Sequence, residues 1–301
     1  MSDSMPDSML MSLLRGEVPV LVQGITGRAG RSHALQMQAA GTHIVGGVAS
    51  PGAKSNDGPP GIPVFADCAA AVKATGARAS VALVPPLQAL AAAREAFAAG
   101  IKLLVSVTEG MPVHDAIKAA ALARECGAAW VGPSTPGLAV PGRMKMGFLP
   151  DVALNPGNIG VMSKSGTLSY EVNYRLVRQG LGQSLWLGVG GDPVKGTRFA
   201  DLLPLFAAHA GTRAVLLIGE IGGNEEEDCA AAIRRLGFDK PVFAVIAGSS
   251  AREGVTMGHA GALIQGGLGT HASKTAALKD AGVHVHQHID ELVGAMVRTL
   301  S

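Results

Sequence analysis

Short apolar runs alternate with alanine-rich stretches along the first half of the chain: VPVLVQG, SHALQMQAAG, HIVGGVAS, ASVALVPP, LQALAAAREAFAAG and KLLVSVTEG. Continuous β-branched runs of this length suit strands buried on both faces, and their alternation with helices predicts βαβ units on a parallel sheet. A stretch rich in Pro and Gly, VGPSTPGLAVPGRMKMGFLPDVALNPGN, breaks the rhythm and predicts a boundary. Beyond it IGVMSKSG, SLWLGVGG, AVLLIGEIGG, PVFAVIAG and VHVHQH read as strands, separated by helices such as TLSYEVNYRLVRQG, DCAAAIRRLG and SKTAALKDAG. The expectation is α/β throughout: a frayed extension over residues 1–16, a first doubly wound domain over 17–140, a linker over 141–158 and a second open parallel sheet over 159–301. Both sheets end their strands in Gly-rich turns, where ligands bind in such folds.

Composition narrows the partners. A chain of 301 residues, 48% hydrophobic and 16% charged with mean hydropathy +0.29, has material for two well-buried cores and too little charge for disorder. Its 41 glycines and 4% aromatics favour ligand surfaces lined by backbone, which suits phosphates better than stacked bases. Net charge is +2 and no run of Lys or Arg tracks a phosphate polymer, so nucleic acid is not expected. Cys68, Cys126 and Cys229 are widely spaced without a CxxC pair, which fits a reducing cytoplasm rather than a disulfide framework or zinc cage. The acidic start reads as no signal peptide, and no apolar run is long enough to span a membrane.

Five segments carry candidate chemistry. In QGITGRAGRSH, Gly24, Gly27 and Gly30 sit between a strand and a helix, whose free amides form an anion site beside Arg28 and Arg31. The spacing is not GxGxxG, and the second strand, HIVGGVAS, ends without the acid that grips an NAD ribose. Lys54 is placed to meet a phosphate; a structural turn with a solvated lysine fits the same residues. No GxxxxGK[ST] loop occurs. In SKSGTLSYE, Ser165, Gly166 and Thr167 open a helix, either as an anion cradle or as an ordinary cap. Glu220, in GEIGGNEEED, stands at a strand end, either orienting an imidazole or belonging to an acidic loop. His284, His286 and His288 in HVHQH have a spacing compatible with a metal, but no constellation completes it, and a surface strand is the reading adopted. In VTMGHAGALIQGGLG, His259 stands among Gly258, Ala260, Gly261 and the Gly266-Gly267 pair, either a histidine in a flexible loop or one stripped of bulk so that backbone or phosphate comes close.

Taken together, QGITGRAG, SVTEG, SKSGTLSYE, GVGGDP, GEIGG and MGHAGA resemble the alpha subunit of succinyl-CoA synthetase, from about residue 17 onward. The resemblance implies a Rossmann-like CoA-binding domain followed by a flavodoxin-like ligase domain. It implies that His259 is phosphorylated by a nucleoside triphosphate and passes the phosphoryl group to a carboxylic acid, with Glu220 orienting the ring. Thr26, Gly27, Arg28 and Ala29 then fall on the turn that binds the CoA nucleotide, Lys54 near a phosphate-contacting lysine, and Thr108, Glu109 and Gly110 on the strand end lining the CoA site. Ser165, Gly166 and Thr167 hold the phosphohistidine, and Tyr170 lies near the acid. The resemblance also implies an ATP-grasp beta subunit carrying ATP or GTP with Mg²⁺, hence a hetero-oligomer, and no metal held by this chain. Where the family reads Asn-Cys-Pro-Gly, this chain has Ser134-Thr135-Pro136-Gly137, and the loop before His259 also diverges, so malate or another small acid competes with succinate. A CoA-binding regulatory protein without turnover and an NAD-linked dehydrogenase are the competing functions.

Overall fold

A computed structural model describes residue 9 and residues 12–14, 18–50, 52–53, 57–266 and 269–300, divided into two compact units. The first comprises 1–149 with 194–197, the second 150–193 with 198–301.

In the first unit the strands are β1 (Val20–Gln23), β2 (Ile44–Val48), β3 (Val64–Phe65), β4 (Ala79–Ala82), β5 (Leu103–Ser106) and β6 (Ala129–Val131). They pair in parallel in the order β3-β2-β1-β4-β5-β6, the Rossmann order, with the direction of winding reversing between β1 and β4. Every residue of β1, β4 and β5 is buried, which explains why these segments read as unbroken apolar runs. The crossover helices are α1 (Arg28–Ala39), α2 (Cys68–Thr75), α3 (Ala89–Ala98) and α4 (Val113–Glu125). Their inward faces are largely alanine: Ala89, Ala92, Ala93 and Ala96 of α3 and Ala116, Ala119 and Ala123 of α4 join one core with Leu21, Leu104 and Trp130. Alanine keeps helix propensity high and lets backbone approach backbone. α2 begins where Asp67 accepts from the Ala70 N–H at 2.7 Å and ends at Gly76, whose φ of +68° is the left-handed cap geometry.

Two expectations differ from the fold. Residues 141–158, expected to be a linker, contain the end of a buried antiparallel hairpin, β7 (Gly137–Val140) with β8 (Met144–Gly147), and the start of the next unit's first strand. Thr42 ties β8 into the first unit, donating to the Lys145 carbonyl at 2.6 Å and accepting its N–H at 2.9 Å. The abundance of Pro and Gly marked tight turns here rather than a loose tether. Residues 1–16 are expected to fray; most of them lie outside the described residues, but of those described Met9, Leu13 and Leu14 are buried, and Arg143 donates to the Leu14 carbonyl at 2.7 Å. The apolar run at 9–14 is too short to show helical periodicity, so only tertiary burial reveals that Met9, Leu13 and Leu14 pack inward.

In the second unit β9 (Pro156–Ser163), β10 (Gln183–Gly188), β11 (Ala214–Glu220), β12 (Val242–Ala247) and β13 (His284–His286) run parallel in the order β13-β12-β11-β9-β10. Counted within the unit, this is the 2-1-3-4-5 order of flavodoxin-like folds, with the switch point between β9 and β11. Its helices are α5 (Gly166–Arg178), α6 (Phe199–Ala208), α7 (Glu225–Leu236), α8 (His271–Asp280) and α9 (Ile289–Leu300). α7 carries Glu225, Glu226, Glu227 and Asp228 in its first turn and Arg234 and Arg235 in its last, the charge order its dipole favours. Among the described residues no helix is long and apolar enough to cross a membrane.

Candidate functional site

The first unit has a cavity of about 480 Å³ at the C-terminal ends of β1, β2 and β4, lined among others by Gly24, Ser50, Gln88, Ala92 and Glu95. It opens at the sheet's switch point, where α/β folds bind ligands. Gly24 makes the turn possible: its φ is +77°, and a Cβ there would lie 2.4 Å from the Leu83 carbonyl oxygen. Gly30 packs equally close, its virtual Cβ 2.1 Å from the Gly24 oxygen, so the turn folds tightly over the start of α1. Gly27 caps α1 without a side-chain hydrogen bond, and the first turn that follows carries exposed Arg28 and Ala29 at the helix's positive end. Thr26 is buried and accepts the N–H of cavity-lining Ser50 at 2.9 Å.

The structure separates the remaining first-unit candidates. Thr108, beyond β5, donates to the Val84 carbonyl at 2.7 Å, while Glu109 and Gly110 are exposed; none of the three lines the cavity. Lys54 lies outside the described residues. Gln23, Ser50, Gln88 and Glu95 line the cavity although the sequence reading passed over them; their wide separation along the chain leaves no local pattern to find. Thr135, at the motif departure, is buried with its hydroxyl accepting the Gly137 N–H at 3.0 Å, and Ser134 adopts φ +57°. That left-handed geometry favours asparagine over serine.

The second unit assembles its polar groups around the C-terminal ends of β9, β10 and β11. β9 ends at Ser163, and Ser165 caps α5 by accepting the Leu168 N–H at 3.2 Å. Gly166 and Thr167 form the first turn of that helix, so their amides lie at its positive end. Glu220, the last residue of β11, is buried, and its Oε2 lies 2.7 Å from His259 Nδ1. An ionised carboxylate only accepts, so Nδ1 is the nitrogen that carries the proton in this pair, and in the neutral imidazole the lone pair is then on Nε2. The ring is partly exposed, 24% of its side chain.

Small residues around His259 have a definite steric use. A Cβ on Gly191, just past β10, would lie 2.2 Å from the ring's Cγ and 2.5 Å from Nδ1. Gly261 donates to the Gly191 carbonyl at 3.2 Å, and a Cβ on Gly222 would sit 2.1 Å from the Gly261 oxygen. The loop is further pinned by Ala262 and Ile264, which pack with Ile221. Tyr170, on α5, meets Trp186 of β10 edge to face at 5.9 Å, and burial holds its hydroxyl pKa above the ordinary value.

Behind Glu220 is a group of buried charges that the sequence reading did not single out. Lys164, Lys274, Glu225 and Glu226 are all buried. Burial works to raise the Glu226 carboxyl pKa, but the ammonium groups of Lys164 and Lys274 outweigh it and hold the group below the ordinary carboxylate range. Burial likewise pulls Lys164 down, and the carboxylates of Glu226 and Glu225 reverse that. On β13 the rings of His284 and His286 stack on Phe243, at 5.0 and 6.4 Å. Among the described residues no group of three or more His, Cys, Asp or Glu is placed to hold a metal.

Comparison with known proteins places these sites in context. Residues 16–110 match the CoA binding domain and residues 162–284 the CoA-ligase domain. The chain is 47% identical to the succinate–CoA ligase [ADP-forming] subunit alpha 2 of Archaeoglobus fulgidus, covering 88% of this chain and 91% of that one. It is 42% identical to the ADP-forming sulfoacetate–CoA ligase subunit SauD of Bilophila wadsworthia, covering 93% and 96%, and 42% identical to the malate–CoA ligase subunit alpha of Methylorubrum extorquens, covering 91% and 94%. Among solved structures, the ATP citrate lyase of Methanothrix soehngenii superposes with a TM-score of 0.80 at 22% identity, a likeness of fold. The match covers 94% of this chain and 49% of that chain, so this chain spans about half its length.

Proposed function

Since the chain belongs to the succinate–CoA ligase alpha-subunit family of acid–CoA ligases, we propose that it is the phosphohistidine-bearing alpha subunit of an NDP-forming ligase acting on succinate or a related small carboxylic acid. The observation that carries this reading is the 2.7 Å contact between His259 Nδ1 and Glu220, held in a glycine-lined loop near the switch point of the second sheet. Fixing the Nδ1–H on a carboxylate presents Nε2 as the nucleophile and stabilises positive charge as the ring is phosphorylated.

The proposed sequence balances in three steps. Nε2 attacks the γ-phosphorus of a nucleoside triphosphate, and the bond to the bridging oxygen breaks to release NDP. A carboxylate oxygen of the acid then attacks the phosphorus, the N–P bond breaks and an acyl phosphate forms. Finally the CoA thiolate attacks the acyl carbon and inorganic phosphate leaves with the C–O electron pair, giving acyl-CoA. The first-turn amides of α5 at Gly166 and Thr167 are positioned to cradle the phosphoryl group. Tyr170 is assigned to the acid subsite. In the first unit, the α1 turn at Thr26, Gly27, Arg28 and Ala29 and the adjoining cavity are assigned to CoA, as are Lys54 and the Thr108–Gly110 strand end.

In this reading the triphosphate and its Mg²⁺ are held by an ATP-grasp beta subunit, since the chain has no P-loop and the relatives are named as alpha subunits. The assembly is cytoplasmic and hetero-oligomeric. The test is to mix the chain with its beta subunit and γ-labelled ATP or GTP, then assay His259 for acid-labile, base-stable phosphate. The expected label is absent from His259→Asn, which still binds CoA. An acid screen for CoA-dependent NDP release, with succinate, malate and sulfoacetate as arms, selects the substrate. Normal turnover by His259→Asn would sink the mechanism, and CoA binding without label or turnover would favour a regulatory protein.

A further inference from the structure

We propose that Glu226 is a positioning residue for phosphoryl transfer at His259, acting through the backbone of Glu220; the inference rests on the histidine reading above. Glu226 is fully buried in the first turn of α7. Its Oε1 accepts the Glu220 N–H at 3.1 Å and lies 3.0 Å from Lys164 Nζ. Its Oε2 accepts from Lys164 at 3.1 Å and also from Lys274. The strand end is shaped for this contact: a Cβ on Gly219 would fall 2.6 Å from Glu226 Oε1.

The two lysines extend the grip to the neighbouring loops. Lys274 donates to the Gly223 carbonyl at 2.9 Å and to Glu227 at 3.0 Å, so the turn that begins with Glu220 is held at both ends. Lys274 belongs to α8, which follows the His259 loop. Lys164 directly precedes the Ser165 cap of α5, and its backbone N–H donates to the Ile218 carbonyl of β11 at 3.0 Å. One carboxylate therefore links the phosphoryl cradle, the orienting acid and the helix beyond the histidine loop. Buried ion pairs are poor stabilisers compared with packed apolar side chains, because desolvation offsets their attraction. What this cluster supplies that apolar packing cannot is an immobile acceptor for the N–H of the residue that aims the imidazole.

The test uses the complete enzyme with its partner subunit. Glu226→Leu combined with Lys274→Met removes one charge of each sign together with the acceptor, while Glu226→Gln combined with Lys274→Met keeps an acceptor oxygen in the same charge background. The initial rate of His259 labelling by γ-labelled nucleotide is expected to fall about 10- to 100-fold in the leucine pair, as for a misplacement near 1 Å, and to recover most of that loss in the glutamine pair. In a Glu220→Gln background the leucine pair is expected to cause little additional loss, since the two residues act in series. CoA binding and unfolding midpoints report whether each variant is folded. Equal labelling rates in the two folded pairs, or full additivity with Glu220→Gln, would overturn the inference while leaving the histidine reading intact. Absence of label from His259 in the unaltered enzyme would overturn both.

Discussion

Replacing Gly191 by alanine tests the site geometry with one methyl group. The added Cβ would lie 2.2 Å from His259 Cγ, 2.5 Å from Nδ1 and 2.7 Å from Cδ2, whereas carbon atoms in contact settle near 3.5–4.0 Å. Relieving the overlap requires the ring to retreat by roughly 1 Å or more. The Nδ1 to Glu220 contact is 2.7 Å, and hydrogen bonding ends at about 3.2 Å, so only about half of such a displacement need fall along that contact to break it. The loop has little freedom to follow, because Gly261 donates to the Gly191 carbonyl at 3.2 Å. Gly191 itself lies outside the left-handed region, so alanine adds steric bulk without backbone strain. A displacement near 1 Å corresponds to about a 100-fold loss in rate, or about 2.7 kcal/mol of transition-state stabilisation. Rapid-quench labelling of the assembled enzyme measures the rate, with CoA binding and thermal unfolding as controls. A folded Gly191→Ala enzyme labelled at the wild-type rate would show that the ring does not react from the position bound to Glu220, and the steric argument for the glycine-lined loop would fail.

Glu220→Gln keeps the shape of the side chain but removes the charge that fixes the Nδ1–H, and labelling of His259 is expected to slow by about 10²- to 10⁴-fold; an unchanged rate contradicts the orienting role. Arg28→Glu, on the exposed first turn of α1, is expected to weaken CoA binding by about tenfold or more while His259 labelling persists, which equilibrium binding and labelling on the same preparation resolve. The buried charges predict a stability plateau with two edges. Glu226 titrates below its ordinary range when folded, so its contribution is present above about pH 4.3 and lost as pH falls through the folded value. Lys164 titrates above its ordinary range, so its contribution is present below about pH 10.4 and lost as pH rises through the folded value. Denaturant unfolding across pH is expected to show a shallower acid edge in the Glu226→Leu, Lys274→Met pair than in the unaltered chain; coincident acid edges count against the cluster's coupling.

Much of the architecture was legible because it is local. The apolar runs of β1, β4, β5 and β11 are buried on both faces, so their composition alone identifies them as strands of a covered parallel sheet. The Gly24, Gly27 and Gly30 turn and the Ser165 cap also announce themselves, since the backbone constraint and the residue that satisfies it are neighbours in sequence. Lys54 and the Thr108–Gly110 segment belong to the same reading of local motifs, but the first is outside the described residues and the second is absent from the cavity wall.

What the tertiary structure decided is whatever depends on distant residues meeting. Glu220 and His259 are 39 positions apart and touch because parallel pairing brings the ends of β11 and β12 to one edge. Lys164 and Glu226, 62 positions apart, look like ordinary surface charges in sequence, because charge type carries no mark of burial until the chain closes over it. The hairpin of β7 and β8 was hidden for the opposite reason: its turns are rich in Pro and Gly, and the antiparallel pairing that makes them turns in a sheet rather than a tether exists only between residues already folded together. Sequence settles which segments extend, coil or turn, since those preferences act over a few residues. Register, burial and the 2.7 Å between a carboxylate and an imidazole are properties of the closed chain, where distant segments share one core.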